Sequence, residues 1–300
     1  MLLYDLIEKC SDRYEYQKEY ERCGNCTYGN CCPQDCQTCL KYVHFPKDAP
    51  APRKYDCIHM ADYYYCKYSY KYASEIVYGL RYFAEIQDKK ELKIMSVGCG
   101  PCTDLAAVDY LRNEGELNYN QLRYRGIDPL GEVWQPIWKD IKDYFGDEIK
   151  IYQKDILQFV DTIVENDWVP DVLIFQYVFS DMYKHSEETQ IVQFINKLAS
   201  FLNSYNQKPI YILCNDINLS KSMGGGREFF DILESKIQAP KTVMRMHFNN
   251  ENKERHYEYG EQYDNNELVF NRIPAEIKNA YNPFGSCASA QILIKKKVMK

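Results

Sequence analysis

Several features that would assign this 300-residue chain to a specialised class of protein are missing from its sequence. It has no run of about 18 apolar residues, the length that an α-helix needs to cross a bilayer. Its first residues lack the basic start, apolar stretch and small-residue cleavage site of a secretory signal. It also has no internal repeat and no long Gly/Ser-rich linker. We therefore expect a cytoplasmic protein with no membrane partner.

A basic stripe of the kind that binds nucleic acid is also missing. The chain carries 37 Lys and Arg against 43 Asp and Glu, a formal net charge of −6. Proteins that bind nucleic acid usually present such a stripe, because neutralised phosphates supply much of their affinity. The lysines at positions 295–297 form the one basic run. We interpret them as a solvated end of the chain, with phosphate contact as the alternative.

Cysteine, in contrast, is abundant and unevenly placed. Six of the 13 cysteines lie within residues 23–39, a clustering typical of a metal site: Cys23, Cys26, Cys31, Cys32, Cys36 and Cys39. Four thiolates close a tetrahedral structural zinc site, so we predict zinc. An iron–sulfur cluster also takes four thiolates, and the spacing does not separate the two. Disulfides are disfavoured in a reducing compartment.

Two cysteines remain after a single four-thiolate site is filled. Cys31 and Cys32 are then alternative ligands of one ion. Otherwise a second site recruits further side chains from His44, Cys57, His59 and Cys66.

The chain divides into two parts by pattern. Residues 1–88 form an N-terminal helical, Cys-rich module: a helix over 1–22, an irregular stretch over 23–54 in which Pro46, Pro50 and Pro52 follow the cysteines, and one long helix or two over 55–87. Residues 89–300 alternate short apolar runs with amphipathic stretches, which indicates an α/β fold. The predicted fold is a seven-stranded, doubly wound, mostly parallel sheet. Strands are predicted at 93–97, 123–127, 149–153, 171–177, 209–214, 241–248 and 291–296, and helices at 104–113, 133–145, 156–165, 187–204 and 227–236.

The most specific local signal is the segment VGCGPCTD at residues 97–104, where a predicted strand meets a turn and then a helix. Glycine tolerates positive φ and lets backbone approach a ligand closely. The segment resembles the first motif of class I S-adenosylmethionine (SAM)-dependent methyltransferases, whose pattern is VGCGPGTD with small variations. Cys102 stands where that pattern often has a third glycine. The resemblance places Gly98, Cys99, Gly100, Pro101 and Asp104 at the cofactor.

Two later segments extend the resemblance. In this family an acidic residue after the second strand binds the ribose hydroxyls, and Asp128, followed by Pro129, stands there. A carboxylate suits a vicinal diol because it offers two acceptor oxygens. After the third strand, Asp155 and Ile156 correspond to the adenine site. A turn at Asp128 and a helix N-cap at Asp155 are compatible alternatives.

The fourth predicted strand ends where the family places the transferred methyl group. Gln176 and Tyr177 are assigned to the cofactor by this correspondence, and Ser180, Asp181 and Tyr183 are the candidates for catalysis or substrate orientation. Methyl transfer requires alignment, and it requires a base only if the acceptor holds a proton at neutral pH. Asp181 is the candidate base, with a helix cap as the alternative.

The resemblance implies a SAM-dependent methyltransferase, and our hypothesis is that its N-terminal module helps to choose the acceptor. RNA or another nucleic acid is slightly favoured over a protein or small molecule, since a metal module beside the tyrosine-rich residues 61–72 suits a structured polymer. Packing of these tyrosines against the catalytic domain is the structural alternative. Two other functions stay open: a non-catalytic assembly protein that keeps the SAM fold, and an enzyme that cleaves SAM.

Overall fold

The computed structural model describes residues 1–20, 35–45, 54–146, 148–158, 160, 168–249 and 258–299, without the side chains of 17–20. Within these ranges the chain forms one sheet. Its strands are β1 Glu91–Val97, β2 Gln121–Asp128, β3 Ile149–Gln153, β4 Val172–Gln176, β5 Ile210–Ile217, β6 Lys241–His247, β7 Glu261–Gln262 and β8 Ser289–Lys296. The strand order is β3-β2-β1-β4-β5-β8-β6-β7.

The sheet is mostly parallel, as predicted. β1 pairs in parallel with β2 and β4, β2 with β3, and β4 with β5, while β8 runs antiparallel between β5 and β6. The first five strands have the order 3-2-1-4-5, so the direction of winding reverses between β1 and β4. In doubly wound folds, ligands bind at this reversal, beyond the carboxyl ends of the strands.

The helices are α1 Leu2–Tyr20, α2 Cys36–His44, α3 Ile58–Arg81, α4 Thr103–Asn113, α5 Gly131–Phe145, α6 Val178–His185, α7 Glu188–Ser204, α8 Glu228–Lys236 and α9 Ala275–Tyr281. They cover both faces of the sheet. Alternation along β4 shows the two layers: Val172 and Ile174 contact the core with α1, α3, α4 and α5, whereas Leu173 and Phe175 contact the core with α6, α7 and α8. In the described residues no helix is long and apolar enough to span a membrane.

The predicted strand number was one too low. All seven predicted strands form, and the eighth is the two-residue β7, which pairs in parallel with the end of β6. A two-residue segment is too short to show the alternation of apolar side chains by which strands are recognised.

The prediction that residues 23–54 are irregular was wrong in part. Cys36–His44 form α2, whose N-terminus is capped by the Asp35 carboxylate through the backbone N–H groups of Gln37 and Thr38. Helices α6 and α9 were not predicted. Of the predicted helix over 156–165, the described residues include a short 3-10 turn at Ile156–Gln158, and residues 159 and 161–167 lie outside the description.

Helix α3 lies in the same layer as α4 and α5 and also contacts β5 and β8. Its tyrosine stripe faces inward, since Tyr64 packs against Trp134 of α5 and Tyr72 stacks on Tyr177 at a ring-centroid distance of 4.3 Å. The prediction that these tyrosines pack against the rest of the protein is therefore confirmed for Tyr64 and Tyr72. The boundary proposed between residues 88 and 89 stays a prediction.

Candidate cofactor site

The turn after β1 contains three residues with positive φ: Gly98 at +63°, Gly100 at +47° and Cys102 at +55°. At Gly98 a Cβ would lie 2.8 Å from Val178 Cγ2, so both conformation and space require glycine there. Cys99 N–H donates to the carbonyl of Ile127 at 3.1 Å, which ties the turn to the end of β2. Gly98 and Gly100 thus use the conformational freedom that the sequence predicted these glycines to need.

Cys102 adopts the left-handed conformation although it is not glycine. Its N–H donates to Cys99 O at 2.8 Å, which closes the turn, and α4 begins at the next residue. Cys102 therefore has a left-handed conformation that glycine adopts more readily.

Asp128 lies at the end of β2 with 6% of its surface exposed. Its Oδ2 accepts from Gly100 N–H and its Oδ1 from Leu130 N–H, both at 2.8 Å. Burial raises the pKa of Asp128 to about 6, partly offset by these backbone donors. Because an ionised carboxylate offers about four lone-pair positions, two acceptor positions remain after these two bonds.

Two tryptophans of α5 surround the turn. Trp138 Nε1 donates to Gly100 O at 2.7 Å, and the ring of Trp134 lies 3.9 Å from the position that a Cβ of Gly100 would take. The Trp134 ring also contacts Tyr55 and Tyr64, with centroid distances of 5.9 and 5.4 Å. The turn therefore packs against the tryptophans of α5, and Tyr64 of α3 and Tyr55, which precedes α3, pack against Trp134.

Gln176 and Tyr177 lie at the end of β4, beside the turn. Gln176 Oε1 accepts from Thr103 Oγ1 and its Nε2 donates to Tyr72 O, both at 2.8 Å. Tyr177 leaves the strand with φ +59° and its hydroxyl donates to Glu75 Oε2 at 2.7 Å. Side-chain hydrogen bonds thus connect β4 to the start of α4 and to α3.

Glu75 is a residue of this region that the sequence analysis missed. Its side chain is fully buried, and it also accepts from Asn215 Nδ2 and Ala288 N–H, both at 3.0 Å, with Lys71 Nζ at 3.8 Å. A sequence signal was present, because Glu75 falls three residues after Tyr72 and shares the face of the tyrosine stripe. A single carboxylate on an otherwise aromatic helical face indicates a buried ionic contact.

The three candidate catalytic residues differ in their surroundings. Ser180 is buried, donates its hydroxyl to Tyr177 O at 3.3 Å and its N–H to Asp216 Oδ2 at 3.0 Å. Tyr183 packs on Phe229 with a centroid distance of 5.8 Å. Asp181 keeps 43% of its side chain exposed and lies 3.9 Å from His185 Nε2. Asp181 is the one carboxylate among these three candidates, and its exposed part is accessible to an acceptor. Its role as a base stays a prediction.

Some of the remaining cofactor candidates are buried and others are exposed. Asp104 is buried and its carboxylate accepts from Tyr124 Oη at 3.1 Å, while Pro101 is buried and Pro129 is exposed. Asp155 is exposed and its Oδ1 accepts from Leu157 N–H at 2.8 Å, so it caps the 3-10 turn. Ile156 Cδ1 lies 3.4 Å from the Cβ position of Gly98, which places it at the turn.

The predicted metal ligands are described in part. Cys36 and Cys39 lie three residues apart on α2, buried and half-buried respectively, whereas Cys23, Cys26, Cys31 and Cys32 lie outside the described residues. Among the residues that are described, no group of three or more His, Cys, Asp or Glu side chains is suited to a metal ion. The zinc site stays a prediction.

No protein-family model and no curated protein matches this chain. A provisionally assigned class I SAM-dependent methyltransferase of Listeria monocytogenes is 17% identical, with a TM-score of 0.41 over 77% of this chain and 62% of the Listeria chain. An rRNA methylase of Streptococcus thermophilus is 10% identical, with a TM-score of 0.39 over 76% of this chain and 95% of its own. A provisionally assigned spermidine synthase of Corynebacterium glutamicum is 14% identical, with a TM-score of 0.40 over 77% and 64%. At these values the similarities assign neither a reaction nor a substrate.

Proposed function

We propose that this chain binds SAM at the carboxyl ends of β1, β2 and β4 and transfers its methyl group to an acceptor. One observation carries the proposal: the buried Asp128 carboxylate at the end of β2 is bonded to the N–H of Gly100 in the left-handed turn after β1. The contact joins the acid proposed to bind the ribose to the glycine turn after β1, and β1 is one of the two strands between which the winding reverses.

The residues present are suited to SAM. Gly98 and Gly100 have no side chain that would keep a ligand away from their backbone. Asp128 retains acceptor positions for a ribose diol. Asp155 and Ile156 are proposed at the adenine, and Gln176 and Tyr177 beside the methionine portion, by their positions after β3 and in and after β4. SAM supplies an electrophilic methyl group on a sulfonium. The residues of this chain supply alignment, and we propose Asp181 as the base if the acceptor must lose a proton.

The proposed acceptor is RNA or another nucleic acid, with a protein or a small molecule as alternatives. Residues 1–88 are proposed to help to choose it, with zinc bound by the cysteines of 23–39. Tyr72 is buried and stacks on Tyr177, and Tyr64 is half-buried against Trp134, so both rings already have aromatic partners inside the protein. Recognition of RNA would then depend on other residues of the module.

Isothermal titration and product analysis test the proposal. We expect the purified chain to bind SAM with micromolar-class affinity, and incubation with methyl-labelled SAM and separated RNA, protein and small-molecule fractions to yield S-adenosylhomocysteine and one labelled fraction. Fragments of SAM other than S-adenosylhomocysteine would indicate cleavage instead. Binding without any product would favour an assembly protein, and absence of binding would refute the proposal.

A further inference from the structure

Cys102 has a backbone conformation that is unfavourable for any residue that carries a Cβ. Its φ of +55° lies in the left-handed region, and the side chain is fully buried. A side chain makes this region unfavourable, whereas glycine adopts the conformation readily. Strained residues of this kind often have a functional reason, so the cysteine at this position calls for one.

The second observation is the position of Cys99. The four residues Cys99-Gly100-Pro101-Cys102 form a turn closed by Cys102 N–H to Cys99 O at 2.8 Å. Such turns hold their first and last Cα atoms within about 7 Å, and disulfides bridge Cα atoms about 4.4–6.8 Å apart. Cys102 Sγ donates to Gly100 O at 3.9 Å inside the same turn, and both cysteines are free thiols in the structure. A Cys-x-x-Cys turn between a strand and a helix is also the placement found in redox-active motifs.

We infer that Cys99 and Cys102 form a reversible disulfide that controls the affinity of the turn for the cofactor; this rests on the proposed function. The oxidant is a disulfide of the glutathione class. One cysteine thiolate attacks it, which forms a mixed disulfide and releases one glutathione thiol. The other cysteine then displaces the second glutathione. One glutathione disulfide is reduced to two thiols, and the Cys99–Cys102 bond forms as both cysteines lose their protons.

The surroundings of the pair slow the formation of the bond, and they differ from those of a catalyst of disulfide exchange. Burial raises the pKa of the Cys99 thiol well above its ordinary value, and the neighbouring Cys102 adds to the effect. Catalytic cysteines are exposed and have lowered pKa values. Here 8% of Cys99 and none of Cys102 is exposed, so oxidation is slow at neutral pH and accelerates as the pH rises.

The same turn holds the proposed cofactor site, so the bond affects it directly. Gly100, between the two cysteines, donates to Asp128 and accepts from Trp138. Cys99 Sγ lies beside Gly126 of β2, 2.8 Å from the position of a Cβ there. Formation of the disulfide draws this sulfur towards Cys102 and shifts Gly100, which weakens its bond to Asp128.

The test uses the full chain, reduced with dithiothreitol or oxidised with diamide at pH 8. Mass spectrometry of unreduced peptides should show the peptide with residues 99–102 lighter by two hydrogen atoms after oxidation. Titration with SAM should show at least about a tenfold loss of affinity in the oxidised protein, near 1.4 kcal/mol, and full recovery after reduction.

Cys102→Gly and Cys102→Ser are the matched controls, because they keep every other cysteine. Each should have the same SAM affinity before and after diamide. The inference is overturned if the wild type forms no bond between the two cysteines, or if diamide weakens SAM binding equally in the wild type and in Cys102→Gly. A reduced wild type that does not bind SAM would refute the proposed function and the cofactor part of the inference, while the peptide map still decides whether the disulfide forms.

Discussion

At the residue scale, the protonation of Asp128 should control cofactor binding. Its pKa is raised to about 6 by burial, so the carboxyl group gains its proton as the pH falls through that value and loses acceptor capacity for a ribose diol. We expect SAM affinity to be constant between pH 7 and 8 and to fall by up to about tenfold per pH unit below 6.

The variant Asp128→Asn separates the titration of Asp128 from that of other buried carboxyl groups. Burial also raises the pKa of Asp104 and of Asp216 to about 6, so the wild-type profile alone does not identify the group. The Asn variant should bind SAM at least about tenfold more weakly at pH 7, near 1.4 kcal/mol, and its affinity should not change between pH 5 and 7. An unchanged affinity at pH 7 would remove Asp128 from the ribose site.

Gly98 provides a second residue-scale prediction. Alanine at position 98 would have a positive φ, and its Cβ would lie 2.8 Å from Val178 Cγ2. Alanine at Gly115 would also have a positive φ, +74°, but its Cβ would have no atom within 4 Å. Gly115→Ala should therefore lower the free energy of unfolding by about 1 kcal/mol, and Gly98→Ala by about 2–4 kcal/mol. Urea denaturation measures both values. Equal losses would show that the contact with Val178 relaxes without cost.

At the scale of the element, docking of α3 on the sheet depends on Glu75. Glu75→Ala leaves the Tyr177 hydroxyl, the Asn215 amide and the Ala288 N–H without their acceptor in a buried region. We expect a loss of about 3 kcal/mol or more in the free energy of unfolding by urea.

Glu85→Ala is the control for Glu75→Ala. Glu85 pairs with Lys295 at the surface, where half of its side chain is exposed, so its removal should cost less than about 1 kcal/mol. A Glu75 variant as stable as the Glu85 variant would show that water or another side chain replaces the carboxylate.

The metal prediction concerns the segment around α2. We expect elemental analysis of the purified chain to find about one or two zinc ions, and the double variant Cys36→Ser, Cys39→Ser to contain less. Cys287→Ser, whose thiol donates to Glu267 O within the core, should keep the wild-type content. A brown preparation that contains iron and sulfide would indicate an iron–sulfur cluster in place of zinc. A protein that contains neither zinc nor iron would refute the prediction.

At the scale of the whole molecule, a chain that starts at Lys89 tests the division between residues 1–88 and 89–300. Helices α1 and α3 bury apolar side chains in the same core as α4 and α5, and α3 also contacts β5 and β8. We therefore expect this chain to lose cooperative unfolding, as measured by circular dichroism during heating. A truncated chain that folds and binds SAM within about tenfold of the full chain would establish 89–300 as an independent domain.

The sequence by itself determined the alternation of strands and helices and the position of the glycine turn. Buried parallel strands are short apolar runs, and this local property placed all seven strands that were predicted. Gly98, Gly100 and Asp128 were recognised by the resemblance of their segments to the SAM motifs, each of which stands at the end of a predicted strand. The same reasoning predicted a mostly parallel sheet.

Tertiary structure decided the features that depend on distant partners. Glu75 accepts from residues 102, 140 and 213 positions away, and no local pattern encodes such contacts. Helix α2 begins at a cap by Asp35 within a segment whose cysteines and prolines hid it. Tyr177 takes φ +59°, where its ring stacks on Tyr72 and its hydroxyl reaches Glu75. These contacts form only after α3 packs on the sheet, because hydrogen bonds and ring stacking act over a few ångströms while the residues that they join are far apart in the chain.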